Sequence, residues 1–312
     1  MMEVLVLTAP DEPALPGLDG LPDDIRVTHV CREDDLQAGL QRADILVVTD
    51  FRSGLLARCW PDDPSVRWVH ATSAGVDALM FPALKKSGIP VTNARGVFDR
   101  GIAEYVLGAV LMFAKDTLGN LRYQRAHRWV HRDTALIREQ RALVVGAGSI
   151  GTTTAQLLSA AGLRVTGIAR TARDVEGFEA VYARDRLVDC LAESDHVIIT
   201  APLTPETEGL FNKAMLKRMK PGAFLINVGR GPIVRSDDLV TVLESGHLGG
   251  AALDVFEEEP LPQDHPLWER QDVMISAHMA GDFIGWRSAL GEQFVENFQQ
   301  WQNENELFNR VQ

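Results

Sequence analysis

The chain has 312 residues, of which 46% are apolar and 24% are charged, and its formal net charge is −12. This length predicts two domains with separate hydrophobic cores, and the composition excludes a chain that stays disordered. The acidic balance disfavours nucleic acid as a partner.

The chain carries no signal for a membrane or for disulfide chemistry. No stretch approaches the roughly 18 apolar residues that a membrane span needs. The three cysteines, Cys31, Cys59 and Cys190, are odd in number and show no CxxC spacing. We therefore expect a reduced, cytoplasmic protein that has neither a metal site nor a membrane partner.

The N-terminal third contains apolar runs that predict strands. They lie at 4–10, 25–30, 45–50 and 66–71, and helix-compatible sequence separates them. The runs are mostly apolar instead of strictly alternating, which is typical of a parallel sheet with helices on both faces. A long helical segment over 98–128 follows and is predicted to bridge two domains.

The rest of the chain repeats the alternation of strand and helix. Six further strands are predicted, at 142–147, 163–168, 196–201, 223–228, 251–256 and 273–278. This rhythm indicates a doubly wound α/β sheet. The tail from Trp286 places Leu290, Phe294, Phe298 and Trp301 on one helical face.

The stretch LVVGAGSIG (143–151) has the pattern of a nucleotide-binding turn. Gly146 would permit a tight turn, Gly148 would let a pyrophosphate approach the backbone, and Gly151 would let helix and strand pack closely. Ser149 and Ile150 would present N–H groups at the start of the helix. An ordinary strand-to-helix connection is the alternative, but the order of strand, turn, helix and second strand favours a dinucleotide site.

The second strand after this turn ends in arginines where an acid is usual. Arg170, Thr171 and Arg173 follow the run LRVTGI. An acid at this place would bind the ribose hydroxyls of NAD(H), whereas arginines suit the 2′-phosphate of NADP(H). We therefore expect NADP(H) to be preferred and NAD(H) to be possible. The alternative is a solvated basic loop.

Three charged residues follow later predicted strands: Arg230 in NVGRGPIV, Glu259 in LDVFEEEPLP and His278 in ISAHMAG. The carboxyl ends of parallel strands lie at one edge of a sheet, so these residues can converge. A histidine held by a carboxylate can donate a proton to a carbonyl oxygen, and an arginine can bind a substrate carboxylate. Each residue taken alone has an ordinary structural alternative.

The order of TSAGVD (72–77), GAGSIG, PLTPETEGLFN, NVGRGPIV, AALDVFEEEPLP and SAHMAG resembles the D-isomer-specific 2-hydroxyacid dehydrogenases. Within that family, the arginines are similar to those of NADPH-preferring glyoxylate/hydroxypyruvate reductases. The resemblance implies two Rossmann-like or flavodoxin-like α/β domains with doubly wound parallel sheets. A discontinuous substrate domain would comprise 1–96 plus 284–312, and a dinucleotide-binding domain would comprise 97–283. It also implies a homodimer.

The resemblance assigns roles to particular residues. It implies that Arg230 binds the substrate carboxylate, that His278 is the acid/base and that Glu259 pairs with it. Backbone N–H groups at Ala74, Gly75 and Val76 would receive the carboxylate. The cofactor groove would include Pro202, Thr207, Val228 and Asp254, the last contacting the nicotinamide carboxamide. For Asp254, a strand-end acid satisfied by backbone amides is the alternative.

The implied activity is hydride transfer between NADPH and a small 2-oxo acid such as glyoxylate, hydroxypyruvate or pyruvate. One alternative is a non-catalytic NAD(P)H sensor similar to the corepressors of this fold. Another is formate or phosphite oxidation, which is disfavoured because the formate enzymes carry an amide where Glu259 stands. The loop 50–56, with Arg52, is expected to help form the pocket for the substrate side chain.

Overall fold

The computed structural model describes residues 1–49 and 53–312, so Asp50, Phe51 and Arg52 of the predicted pocket loop lie outside the described residues. Its strands form two parallel sheets, one of five strands and one of seven. The chain folds into two compact units, residues 1–98 with 283–312 and residues 99–282. The α/β fold predicted from the sequence is confirmed.

The first unit is a five-stranded sheet with helices. Its strands are β1 (Glu3–Leu7), β2 (Arg26–Val30), β3 (Ile45–Val48), β4 (Trp68–Ala71) and β5 (Val91–Asn93). Its helices are α1 (Glu33–Leu40), α2 (Ser53–Cys59), α3 (Pro82–Ser87) and the C-terminal helix (Trp286–Gln302). The strand order β2-β1-β3-β4-β5 is that of flavodoxin-like sheets.

The C-terminal helix belongs to the first unit because its apolar face completes that unit's core. Leu290, Phe294 and Phe298 are buried, as the periodicity of the tail indicates. The ring of Phe294 stacks on Trp68 of β4 with centroids 5.2 Å apart. The two ends of the chain are thus held in one unit by aromatic packing.

A histidine is buried inside this core. His70 of β4 is fully buried, and its Nδ1 lies 2.8 Å from the Thr92 hydroxyl. That hydroxyl accepts a hydrogen bond from Trp68 Nε1 at 2.9 Å, so it can donate its own proton to His70. Burial lowers the pKa of His70 from 6.5 to about 3. The folded protein therefore holds this imidazole neutral.

We expect this histidine to make the protein less stable in acid. Between pH 6.5 and about 3 the unfolded chain binds a proton that the folded chain excludes, so stability falls as the pH falls. The loss from this one group should reach about 2 kcal/mol at pH 5. Urea unfolding at pH 7 and pH 5 checks it: His70→Asn should remove about this much of the difference between the two pH values, whatever its effect at pH 7. An unchanged difference would contradict the assignment.

The second unit is a seven-stranded parallel sheet. Its strands are β6 (Arg141–Val145), β7 (Arg164–Ala169), β8 (Ala180–Ala183), β9 (His196–Ile199), β10 (Phe224–Asn227), β11 (Gly250–Leu253) and β12 (Val273–Ile275). Its helices are α4 (Asp99–Ala114), α5 (Thr117–Arg125), α6 (Ser149–Ala160), α7 (Leu187–Glu193), α8 (Lys213–Leu216) and α9 (Ser236–Glu244). The order β12-β11-β10-β9-β6-β7-β8 contains the Rossmann sequence of strands, with the switch point at the carboxyl end of β6.

The long helical segment predicted over 98–128 is two helices, α4 and α5, instead of one. Asp116 adopts a left-handed conformation between them, with φ 45°, and its side chain accepts a hydrogen bond from Gly119 N. This acid ends one helix and caps the next. Within the described residues, no helix combines the length and apolar character that a membrane crossing needs.

Candidate active site

The glycine turn follows β6 and leads directly into α6. Gly146 has φ +115°, and a Cβ there would lie 2.6 Å from the Ala201 nitrogen. A Cβ on Gly151 would lie 1.9 Å from the Gly146 carbonyl oxygen. A Cβ on Gly148, in contrast, would meet nothing within 4 Å. The first and third glycines are therefore required by packing, and the second leaves open space beside the backbone.

The start of α6 fits the diphosphate of a dinucleotide. Its N-cap residue is Gly148, which has no side chain to accept the first-turn N–H groups of the helix. Those N–H groups, together with the helix dipole, favour an anion. Ser149 directs its hydroxyl elsewhere, because it donates to a carboxylate oxygen of Asp99.

The three residues predicted for the 2′-phosphate lie beyond the end of β7, and all are exposed. Arg170 and Thr171 make no side-chain hydrogen bond within the part of the chain that the structure describes. Arg173 differs, because its guanidinium donates to the Ala147 carbonyl oxygen at 2.6 Å. Arg173 thus holds the glycine turn, and Arg170 has no such structural contact.

Arg230 lies in the loop after β10, at the carboxyl end of that strand. Asn227 holds this loop, since its amide accepts from Gly229 N and donates to the Arg230 carbonyl oxygen, both at 3.1 Å. A Cβ on Gly231 would lie 1.8 Å from the Phe256 carbonyl oxygen. The absence of a side chain at 231 therefore brings the Arg230 loop against the segment that contains Glu259.

Glu259 and His278 form a hydrogen-bonded pair. Glu259 Oε2 lies 2.7 Å from His278 Nδ1, and Glu259 Oε1 accepts from Phe256 N at 2.9 Å. Both carboxylate oxygens are thus oriented by the protein. The two side chains are each 36% exposed, so the pair is partly desolvated and still open to a small molecule.

The pair is stabilised in its charged form. The hydrogen bond from His278 to Glu259 raises the pKa of the imidazole, and this outweighs burial and the charge of Arg230, which lower it. Burial raises the pKa of Glu259, but its hydrogen bonds from His278 and Phe256 N outweigh burial and lower it. Arg230 is close enough for its charge to act on the pKa values of both groups.

Asp254 holds the backbone that carries His278. It is 2% exposed and accepts hydrogen bonds from the Ser276 hydroxyl at 2.5 Å and from Met279 N and Ala280 N, each at 2.9 Å. Its carbonyl oxygen accepts from His278 N at 2.8 Å. His278 has φ 52°, a left-handed conformation that these bonds help to fix. These contacts match the alternative interpretation of Asp254, an acid at a strand end whose oxygens accept hydrogen bonds from backbone amides.

The loop predicted to receive a substrate carboxylate follows β4 in the first unit. Its carbonyl groups are engaged, since Asn93 donates to Ala74 O at 2.6 Å and Ser73 donates to Gly75 O at 2.7 Å. The N–H groups of Gly75 and Val76 donate to no acceptor among residues 1–49 and 53–312. Backbone donors of this kind suit an anion.

Comparison with known proteins identifies the family. The profile of the D-isomer-specific 2-hydroxyacid dehydrogenase NAD-binding domain matches residues 107–280. A glyoxylate reductase of Thermofilum pendens is 34% identical over 241 residues, which cover 75% of this chain and 71% of that protein. The chain belongs to the D-isomer-specific 2-hydroxyacid dehydrogenase family. It is thus related to NAD(P)-dependent oxidoreductases.

Solved structures of this dehydrogenase family have the same fold. A family member from Xanthobacter autotrophicus in complex with NADPH and MES is 32% identical, with a TM-score of 0.84 over 99% of this chain and 98% of that one. An NADPH-dependent glyoxylate/hydroxypyruvate reductase from Sinorhizobium meliloti, in complex with NADP and sulfate, is 26% identical, with a TM-score of 0.88 over 100% and 98%.

The remaining residues predicted for the cofactor groove of the dehydrogenase follow β6, β9 and β10 in the second unit. Thr207 donates to the Pro202 carbonyl oxygen at 2.7 Å and accepts from Thr204 N at 2.8 Å, so its side chain shapes the turn after β9. Val228 is buried directly after β10. Ile150 lies half-buried in the first turn of α6.

Two residues near the Glu259–His278 pair were not predicted from the sequence. The Tyr105 hydroxyl of α4 lies 2.7 Å from the Ser276 hydroxyl, which in turn donates to Asp254, and burial raises the pKa of Tyr105 to about 12. Burial and then the charge of Asp254 raise the pKa of Asp282. The sequence places Tyr105 in the helical segment 98–128, but periodicity does not show which partner its hydroxyl meets.

Proposed function

We propose that this dehydrogenase reduces a small 2-oxo acid, such as glyoxylate, hydroxypyruvate or pyruvate, to the D-2-hydroxy acid with NADPH. The observation that carries the proposal is the Glu259–His278 pair, on which the charge of Arg230 also acts. A proton donor, its orienting carboxylate and a carboxylate-binding cation are the groups that this reduction requires.

Each residue has a defined task in this reaction. The glycine turn would hold the diphosphate of the dinucleotide, whose nicotinamide would supply the hydride for the carbonyl carbon. Arg230 binds the substrate carboxylate and polarises the carbonyl group. His278 donates a proton to the carbonyl oxygen, and because Nδ1 faces Glu259, Nε2 is the nitrogen that acts.

The alternatives are less well supported by the side chains present. Formate oxidation has no use for a proton-donating pair, and Glu259 is an acid that forms such a pair with His278. A non-catalytic sensor would need only the dinucleotide site. Assay of glyoxylate, hydroxypyruvate, pyruvate and bulkier 2-oxo acids, each with NADPH and NADH, tests the proposal by nicotinamide absorbance. No turnover with any of them, together with NADPH binding, would favour the sensor.

The preference for NADPH is assigned chiefly to Arg170. Relatives of the chain are solved with NADPH or NADP, which supports a phosphate pocket at this place. Arg170→Ala should raise the Kd of NADPH by about 10-fold or more and that of NADH by less than about twofold, since only NADPH has the 2′-phosphate.

The control for this prediction is Arg164→Ala, which removes an exposed arginine at the start of β7, where it is paired with Glu179. It should leave both Kd values unchanged. Arg173→Ala should weaken both cofactors, because Arg173 holds the Ala147 carbonyl of the turn. Fluorescence titration measures all four constants, and equal losses for NADPH and NADH in Arg170→Ala would contradict the phosphate role.

We also propose a homodimer in a reducing, cytoplasmic compartment. The support for the dimer is the segment 117–138, where Trp129 is 101% and Leu136 is 75% exposed. This segment contains five arginines in a chain of net charge −12, so it could pair with an acidic surface of a second copy. Sedimentation should show a dimer that Trp129→Glu converts to a monomer.

The cytoplasmic location rests on the odd number of cysteines.

A further inference from the structure

A carboxylate lies against the start of the dinucleotide-binding helix. Asp99 is the first residue of α4 and is 8% exposed. One of its oxygens accepts the hydroxyl proton of Ser149, which is the first residue of α6. Its other oxygen, Oδ1, is buried and has no hydrogen-bond partner among the described residues. Burying a carboxylate with one unpaired oxygen costs free energy.

The contact removes the Ser149 side chain from phosphate binding. A serine hydroxyl has one proton, and here that proton is donated to Asp99. Phosphate oxygens at neutral pH are acceptors, so they gain nothing from the lone pairs that remain on Ser149. At the first residue of α6, the backbone N–H group is then the donor that remains for the diphosphate.

The charge of Asp99 acts in the same direction. The N-terminus of a helix carries a partial positive charge equivalent to roughly half an elementary charge, and it favours an anion. Asp99 brings a negative charge to this end of α6 before any cofactor is present. A diphosphate that binds beside it gains less from the dipole and is repelled by the carboxylate.

We propose that Asp99 attenuates the affinity of this dehydrogenase for its dinucleotide, by withholding the Ser149 hydroxyl and by placing a negative charge beside the diphosphate. The proposal rests on the dinucleotide site proposed above. Its consequence is faster dissociation of the cofactor, a step that limits turnover in many enzymes.

The test measures NADPH binding by the full chain, by fluorescence titration and by stopped-flow dissociation. Asp99→Asn removes the charge at constant shape and should lower the Kd by about tenfold, chiefly through a slower dissociation rate. Ser149→Ala alone should change the Kd by less than about twofold, since the hydroxyl does not serve the phosphate. Glu104→Gln is the matched control, because it neutralises an exposed acid of the same helix, and it should change nothing.

A double-mutant cycle separates the two effects. Asp99→Ala frees the hydroxyl as well as removing the charge, so adding Ser149→Ala to it should cost about threefold or more in affinity, unlike Ser149→Ala alone. An unchanged or higher Kd in Asp99→Asn, or a large loss in Ser149→Ala alone, overturns the proposal. If Asp99→Asn does not fold, as judged by thermal unfolding, the Ser149→Ala result decides. A wild-type chain that binds neither NADPH nor NADH would instead overturn the proposed dinucleotide site.

Discussion

Replacing His278 with alanine should lower kcat for 2-oxo acid reduction by roughly 10²–10⁴-fold, the usual contribution of a general acid. The Kd of NADPH should change by less than about twofold, because His278 is proposed to act on the substrate and not on the diphosphate. Steady-state kinetics and fluorescence titration measure the two quantities. His29→Ala, which removes an exposed histidine of β2, is the control and should keep full activity.

The pH dependence of kcat/KM tests the same role of His278 while the imidazole is kept. Reduction requires a protonated imidazole, and the hydrogen bond to Glu259 raises the pKa of His278. The rate constant kcat/KM should therefore be maintained at low pH and fall as the pH rises through the raised pKa. Glu259→Gln removes the negative charge and should move this fall to lower pH. In the oxidative direction the rate should rise with pH through the same pKa.

In Glu259→Gln, the pH at which kcat/KM falls should be lower than in the wild-type chain. An unchanged or higher pH would contradict the proposed pair. Unchanged turnover in His278→Ala would show that another group donates the proton. Asp282 is the other titratable group of the 278–282 segment, and Asp282→Asn therefore accompanies this series. In the Asp282→Asn background, Glu259→Gln should still move the fall in kcat/KM to lower pH.

The sequence predicts the fold well because its signals are local. Mostly apolar runs identify β1 to β4, and the glycine turn identifies the junction of β6 and α6. The sequence does not predict β5 and β8, which have three and four residues and are too short to stand out. It also predicts one helix where Asp116 separates two, because a polar residue is tolerated on the exposed face of a helix and its φ is not evident from the residue type.

The candidate site is less completely predictable, since it depends on contacts between distant segments. Motifs name Arg230, Glu259 and His278, but only coordinates show that Gly231 packs on the Phe256 backbone and that Asp254 holds the His278 loop. The chain from Tyr105 through Ser276 to Asp254 joins residues 171 positions apart at its first step. No periodic pattern encodes such a hydroxyl contact. The catalytic roles themselves stay predictions until variants are measured.

Replacing Arg230 with lysine should lower kcat/KM by roughly 10²-fold while the positive charge is kept. Lysine presents a single point of charge, so it cannot bind the substrate carboxylate with two parallel hydrogen bonds. The KM of the 2-oxo acid should rise, and the Kd of NADPH should stay nearly constant. Arg235→Lys, an exposed arginine close by that is paired with Glu257, is the control and should leave kcat/KM unchanged.

Arg230→Ala should shift the pH profile in the direction opposite to Glu259→Gln. This variant removes the positive charge as well as the two parallel hydrogen-bond donors of the guanidinium. The hydrogen bond to Glu259 raises the pKa of His278, and the charge of Arg230 lowers it. Removal of that charge should therefore move the fall in kcat/KM to higher pH, whereas Glu259→Gln moves it to lower pH. Arg230→Lys keeps the positive charge and should leave the pH of this fall unchanged. Shifts in the same direction for Arg230→Ala and Glu259→Gln would show that the two side chains do not act on one imidazole, and the proposed site would have to be abandoned.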